Sequence, residues 1–172
     1  MVHKRAVPVT DSGVAAAAET VALRILAGAA QSEAGLRQRL EVRGFSPAVA
    51  VATAAEMVRR GYVDDEAFAT ALATRRLRRG HGRALVAAEL RARGVGSRPI
   101  DDAVRGIDAD VELAAAVAVA GRLATRRAGR QGTDRFGLSA YVGAALRRRG
   151  FDVGTVRRAL VESGLAGDEL VP

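Results

Sequence analysis

No cysteine occurs in the 172 residues, which excludes a disulfide framework and any thiolate metal site. Lysine is confined to Lys4, so no internal lysine is present for a P-loop. Histidine occurs only at His3 and His81, and neither sits in a spacing that could assemble a metal ligand set. A Ser-His-Asp site would have to use His81, which lies in a glycine-flanked loop. Tryptophan is absent and aromatics make up 3% of the chain. No alternating strand pattern appears, which predicts an all-α fold. The longest charge-free run, Gly44 to Ala55, is too short to span a bilayer, which takes about 20 apolar residues. The basic start MVHKR is followed by Glu19 and Arg24, which interrupt any secretory apolar stretch. These absences predict a non-enzymatic cytoplasmic protein with no cofactor, no metal and no membrane segment.

Arginine and small apolar residues are abundant. Lys plus Arg number 27 against 19 Asp plus Glu, a formal net charge of +8. Such a balance favours an anionic partner, either nucleic acid or an acidic protein surface. Residues 75–98 hold eight arginines and one acid, Glu89, and residues 121–149 hold eight arginines and one acid, Asp134.

Three short segments share a pattern: LEVRGF at 40–45, LRARGV at 90–95 and LRRRGF at 146–151. A glycine at C′ ends a helix in the left-handed conformation, and the apolar residue after it folds back on C3. That places Gly44, Gly94 and Gly150 at C′, with Leu40, Leu90 and Leu146 at C3. The three glycines lie 50 and 56 residues apart, near the period of a helical array. Each stop is preceded by an apolar i, i+4 step: Leu36–Leu40, Val86–Leu90 and Val142–Leu146. Each is followed by a further amphipathic segment, with Ala50, Ile100 and Val156 and then Ala54, Val104 and Leu160 in matching positions. Longer helices are predicted upstream, at about 14–27, 65–79 and 109–128.

The expected organisation is an array of three three-helix repeats, elongated and open to curvature. The repeats cover 14–63, 64–108 and 109–164, between an N-terminal tail, 1–13, and a C-terminal tail, 165–172.

The segment GYVDDEAFAT, 61–70, marks one boundary. Gly61 ends a helix, Asp64 caps the next, and Asp65 and Glu66 sit in its first turn. Val63 and Phe68 have the spacing of a hydrophobic staple, and Tyr62 lies between the stop and the cap. Consecutive helical carboxylates splay apart, so capping is preferred here to a divalent-cation cage.

Arginines supply the candidate binding surface. Taking Phe68 and Leu72 as the core direction of the second long helix, Arg75 and Arg79 fall within about 20° of Phe68 at about 100° per residue. They continue the core stripe, either as snorkelling side chains or as a basic end beyond the packing partner. The second reading is preferred, because a GHG loop follows directly. The candidates are Arg75, Arg76, Arg78, Arg79, Arg83, Arg91 and Arg93 in the first window. In the second they are Arg126, Arg127, Arg130, Arg147, Arg148 and Arg149, of which at most two of the last three can share a face.

Together, GYVDDEAFA at 61–69, RLRRGHGRALVAAELRARGV at 76–95 and SAYVGAALRRRGF at 139–151 resemble the RecX regulatory proteins. The resemblance runs from about Gln31 to Gly164, and Asp64 to Ala69 is its most specific part. The family's loop often carries Gly-Pro where this chain has Gly80, His81, Gly82 and Arg83.

The resemblance implies a monomeric array of three-helix units that binds the RecA recombinase and its filament on single-stranded DNA. It further implies suppression of strand exchange, ATPase and coprotease activities, with weaker direct DNA binding. The competing class is an independent helix-turn-helix-like DNA-binding protein, but no helix is rich in the Asn, Gln and Arg needed for base-edge contacts.

Overall fold

A computed structural model describes residues 11–128 and 135–166, and for Asp11 and Ala128 the backbone alone. Arg130 and most of both expected tails lie outside the described residues. The described residues form nine helices and no strand, so the fold is all-α. They are α1 (Asp11–Gly28), α2 (Glu33–Glu41), α3 (Pro47–Arg59), α4 (Asp65–Arg78), α5 (Arg83–Ala92), α6 (Ser97–Arg105), α7 (Ala109–Ala128), α8 (Arg135–Arg148) and α9 (Val153–Glu162). None is long and apolar enough to cross a membrane.

The helix stops have the expected chemistry. Gly44, Gly94 and Gly150 have φ of 91°, 71° and 84°. Phe45 N–H donates to Leu40 O and Phe151 N–H to Leu146 O, each at 3.3 Å, closing the outer bond of a Schellman motif. Leu40, Leu90 and Leu146 are fully buried beneath. The device is used more widely than those three copies. Gly61, Gly80 and Gly164 are also left-handed, and Tyr62, His81 and Leu165 donate back to Met57, Arg76 and Leu160.

Starts are as explicit as stops. Ser46 and Asp152 cap α3 and α9 by accepting from Val49 N–H and Thr155 N–H, at 3.4 and 3.0 Å. Asp64 accepts from Glu66 N–H and Ala67 N–H at 2.9 Å, and Asp108 does the same for Asp110 and Val111 at the start of α7. Such caps contribute about 0.5–2 kcal/mol each. Asp65 has a different task. Its carboxylate accepts the N–H of Glu33, the first residue of α2, at 2.9 Å.

The chain packs as two compact units, one within Met1–Phe68 plus Arg93–Val95, the other within Ala69–Ala92 plus Gly96–Pro172. In the first, Ala22 and Ile25 of α1, Leu36 and Leu40 of α2, and Ala50, Ala54 and Met57 of α3 form the core, closed by Val63. Ser32 donates its hydroxyl to Arg93 O at 2.7 Å while accepting Gly35 N–H, so it secures residue 93 and caps α2 together. In the second, α7, α8 and α9 enclose Leu113, Val119, Val142, Leu146, Phe151 and Val156. Each fully buried leucine or valine contributes about 1.5–3 kcal/mol. Val104 and Leu160, expected in the core stripe, are only half-buried, because each turns toward the edge of its helix's packed face.

Within the second unit, the start of α5 meets the end of α8. Gly82 N–H donates to Arg149 O at 2.8 Å and Ala84 N–H to Gly150 O at 3.1 Å. Backbone amides at the start of one helix thereby satisfy carbonyls just past the end of the other.

Candidate nucleic-acid and partner interface

The first arginine window divides into structural and exposed groups. Arg76 pairs with Glu89 through two parallel contacts, Nε to Oε2 at 2.5 Å and Nη2 to Oε1 at 2.6 Å. Arg83 is held by Glu112, whose side chain is 2% exposed. Glu112 accepts the Arg83 backbone N–H at 2.9 Å, and its other oxygen lies 2.7 Å from Arg83 Nε, an ion-pair contact rather than an aligned hydrogen bond. Arg83 Nη2 also donates to Ile107 O at 2.6 Å. Both arginines were candidates for partner binding, yet both are committed to holding α5 in place.

Arg75, Arg78 and Arg79 are exposed and make no ion pair among the described residues. With Ala71 and Thr74 they line a shallow groove along the end of α4. The expectation that Arg75 and Arg79 extend the core stripe is corrected here. The buried face of α4 in the second unit is Ala69, Leu72, Ala73 and Leu77, centred about 110° from Phe68 at about 100° per residue. Phe68 packs in the first unit, so it was a misleading marker for the residues that follow. Arg91 is exposed on α5. Arg93 is also exposed, with its guanidinium 5.9 Å from the centre of the Phe68 ring. Tyr62 is half exposed, with Arg60 beside its ring.

The second window converges on a residue absent from the sequence-derived candidates, Tyr141 of α8. The Arg127 guanidinium lies 4.4 Å from the centre of its ring, a cation–π distance. One cavity of about 210 Å³ is lined by Leu123, Arg126, Arg127 and Tyr141. A second, of about 350 Å³, is lined by His81, Leu85, Leu123, Tyr141, Arg148 and Arg149, with Ala145. Leu123 and Tyr141 form the wall that the two share. Arg147 lines neither, so two of the three consecutive arginines share a face and the third points elsewhere.

His81 sits at the rim, its Nδ1 buried with no hydrogen-bond partner among the described residues. Burial first, and then the Arg149 charge, hold its imidazole below the ordinary value. Sequence did contain a signal for Tyr141: it precedes Arg148 by seven residues, two helical turns along one face. Nothing local could have placed His81 there.

A wider groove, about 580 Å³, runs among α4, α6 and α7, lined by Leu77, Ala103, Ile107 and Val111. It receives one arginine, Arg78, together with Asp102 and Asp108, and so does not favour an anion. No group of three or more potential metal ligands occurs among the described residues.

An all-α helical repeat protein bearing arginine-rich faces is thus defined. Its fold matches two solved structures, RecX from Lactobacillus salivarius and a regulatory protein RecX. The first has a TM-score of 0.78 at 14% identity, covering 90% of this chain and 99% of that one. The second has a TM-score of 0.76 at 20% identity, covering 85% and 71%.

The family profile described as the second three-helix domain of RecX matches residues 64–104. The regulatory protein RecX of Halorhodospira halophila is 32% identical over 157 residues, 87% of this chain and 91% of its own length. That of Mycolicibacterium vanbaalenii is 41% identical over 96 residues, 55% of this chain and about half (52%) of its own length. The chain belongs to the RecX family of regulatory proteins.

Proposed function

We propose that the chain is a non-enzymatic regulator that binds RecA and its filament on single-stranded DNA. In doing so it inhibits strand exchange, ATPase and coprotease activities and modulates recombination, DNA repair and the SOS response. Family membership supports this reading, and one structural observation carries it. Arg75, Arg78 and Arg79 stand exposed at one helix end with no carboxylate partner among the described residues. Three desolvatable guanidinium groups in that position suit phosphates or acidic side chains. Protein contacts supply the selectivity, because phosphate binding alone does not distinguish a RecA filament from free DNA.

The test replaces Arg75, Arg78 and Arg79 with alanine while retaining Arg76 and Arg83. Helical content and melting are expected to stay near those of the parent chain, while inhibition of RecA strand exchange is lost. Contacts to phosphate would also flatten the log–log salt dependence of single-strand binding by roughly 0.7 per contact. Contacts to RecA would leave affinity for bare DNA unchanged. Full inhibition by the folded triple variant would show that this end of α4 is only a solvated basic face.

A further inference from the structure

The double cavity at Tyr141 has a composition unlike the arginine face of α4. Four arginines line it in two pairs, Arg126 with Arg127 on one side and Arg148 with Arg149 on the other. Among the described residues, no carboxylate lines either half. The wall between the halves is apolar and aromatic, from Leu123 and Tyr141, and Leu85, 37% exposed, adds an apolar side chain to the second half alone. Tyr141 is 36% exposed, although on α8 it directly precedes the buried core residue Val142.

An acidic peptide would satisfy the arginines but leave the aromatic wall unused. A duplex would satisfy them too, yet its bases are stacked inside and present no face to a ring. A single strand offers what the site lacks: flat apolar bases alternating with phosphates. Aromatic platforms flanked by cations hold such strands by stacking and charge together.

We propose that the Tyr141 cavity binds one nucleotide of single-stranded nucleic acid. The base packs against Tyr141 and Leu123, one phosphate meets Arg148 and Arg149, and the neighbouring phosphate meets Arg126 and Arg127. This rests on the proposed function only in taking the strand to be the DNA of the filament. It assigns the strand contact to a site other than the end of α4.

Composition provides a direct probe. The chain has two tyrosines and no tryptophan, so in Tyr62→Phe the emission of Tyr141 is read alone. Adding oligo(dT) to that variant is expected to quench this emission. An abasic oligonucleotide of equal length and charge is expected to bind about tenfold more weakly and to leave it unquenched. In the otherwise unaltered chain, Tyr141→Leu is expected to weaken oligo(dT) binding about tenfold, with Tyr141→Phe near the parent.

The abasic comparison needs no change at the cavity, so it stands even if Tyr141→Leu fails to fold. Equal affinity for normal and abasic strands, or quenching by polyglutamate as strong as by oligo(dT), would overturn the assignment. Inhibition of RecA, measured separately, tests the regulatory reading. If inhibition persists while the strand assays fail, the cavity assignment falls and the regulator stands; the reverse outcome separates them the other way.

Discussion

Gly82 and Gly150 pack backbone to backbone: a Cβ built on Gly82 would overlap the carbonyl of Gly150, and one built on Gly150 would overlap the backbone of Leu85. The left-handed glycine that ends α8 therefore also seats the start of α5. Gly94 is crowded in the same way, since its Cβ would overlap that of Ala34 at the start of α2. Gly44, with φ of 91°, has open space around it. One sequence motif thus covers two physical situations, a stop alone and a stop that is also a joint.

This difference should appear in stability. Gly44→Ala meets only the left-handed penalty, about 1–2 kcal/mol. Gly94→Ala adds an overlap, for a further cost of about 1–3 kcal/mol. Because the obstructing atom is the Ala34 methyl, Ala34→Gly should relieve the second part. A double-mutant cycle by denaturant unfolding is expected to show favourable coupling at 34 and 94 and none at 34 and 44. Equal costs at Gly44 and Gly94 would dismiss the joint.

Arg83 should behave as a structural residue. Arg83→Ala leaves the Glu112 carboxylate, 2% exposed, with its backbone donor but no cation. The expected loss is about 2–3 kcal/mol, near the low end for a broken buried pair because Arg83 itself is partly exposed. Arg83→Ala combined with Glu112→Gln should recover part of it, as read from thermal melts. A single variant as stable as the parent would return Arg83 to the list of free cations.

Asp64 and Asp65, adjacent in sequence, should report on different helices. Asp64→Ala removes the cap of α4 and Asp65→Ala the support of α2, each at about 0.5–2 kcal/mol. Asp65→Asn keeps an acceptor and should restore most of its share. Magnesium should leave the melting temperature unchanged in all of them; a metal-dependent rise abolished by Asp64→Ala would revive a cation site.

His81 makes stability depend on pH. Its folded value lies below the unfolded one, chiefly through burial and then the Arg149 charge; the Arg76 backbone opposes the shift, the Arg76 charge adds to it and Glu89 opposes it. The folded state therefore takes up a proton less readily than the unfolded chain. The neutral form's contribution is present above about pH 6.5 and is lost as pH falls below it. Melting temperature is expected to drop between pH 7.5 and 5.5, and the drop should shrink in His81→Asn. Identical profiles for the two proteins would mean that His81 titrates as if free.

Helix ends were legible because they are local: LEVRGF and DDEAF carry their own stop and cap chemistry. The stop at Gly164, in LVESGL, follows the same leucine-to-glycine spacing but lacks the arginine that made the others conspicuous. Burial direction was less legible. Phe68 is the most apolar residue of α4, yet it serves a different unit from Leu72, and no periodicity within one helix reveals that change. Nor can sequence sort arginines into bound and free, since Glu112 lies 29 positions from Arg83. Thirteen arginines read as one basic character were in fact clips, ring partners and open cations, with Arg130 alone outside the described residues.

The first unit includes Arg93–Val95, a clip made well after Phe68, the end of its main stretch. During synthesis, α1, α2 and α3 therefore emerge before the residue that receives the Ser32 hydroxyl exists. At roughly 5–20 residues per second, that interval is roughly 1–5 s. For that time the start of α2 holds its Ser32 cap and the Asp65 carboxylate but not the carbonyl of residue 93, and Ala34 has no neighbour at position 94. A chain cut at the end of α3 would lack Val63, Asp65 and Arg93 together, so the segment that looks like the first repeat is expected to be less stable alone than within the whole chain.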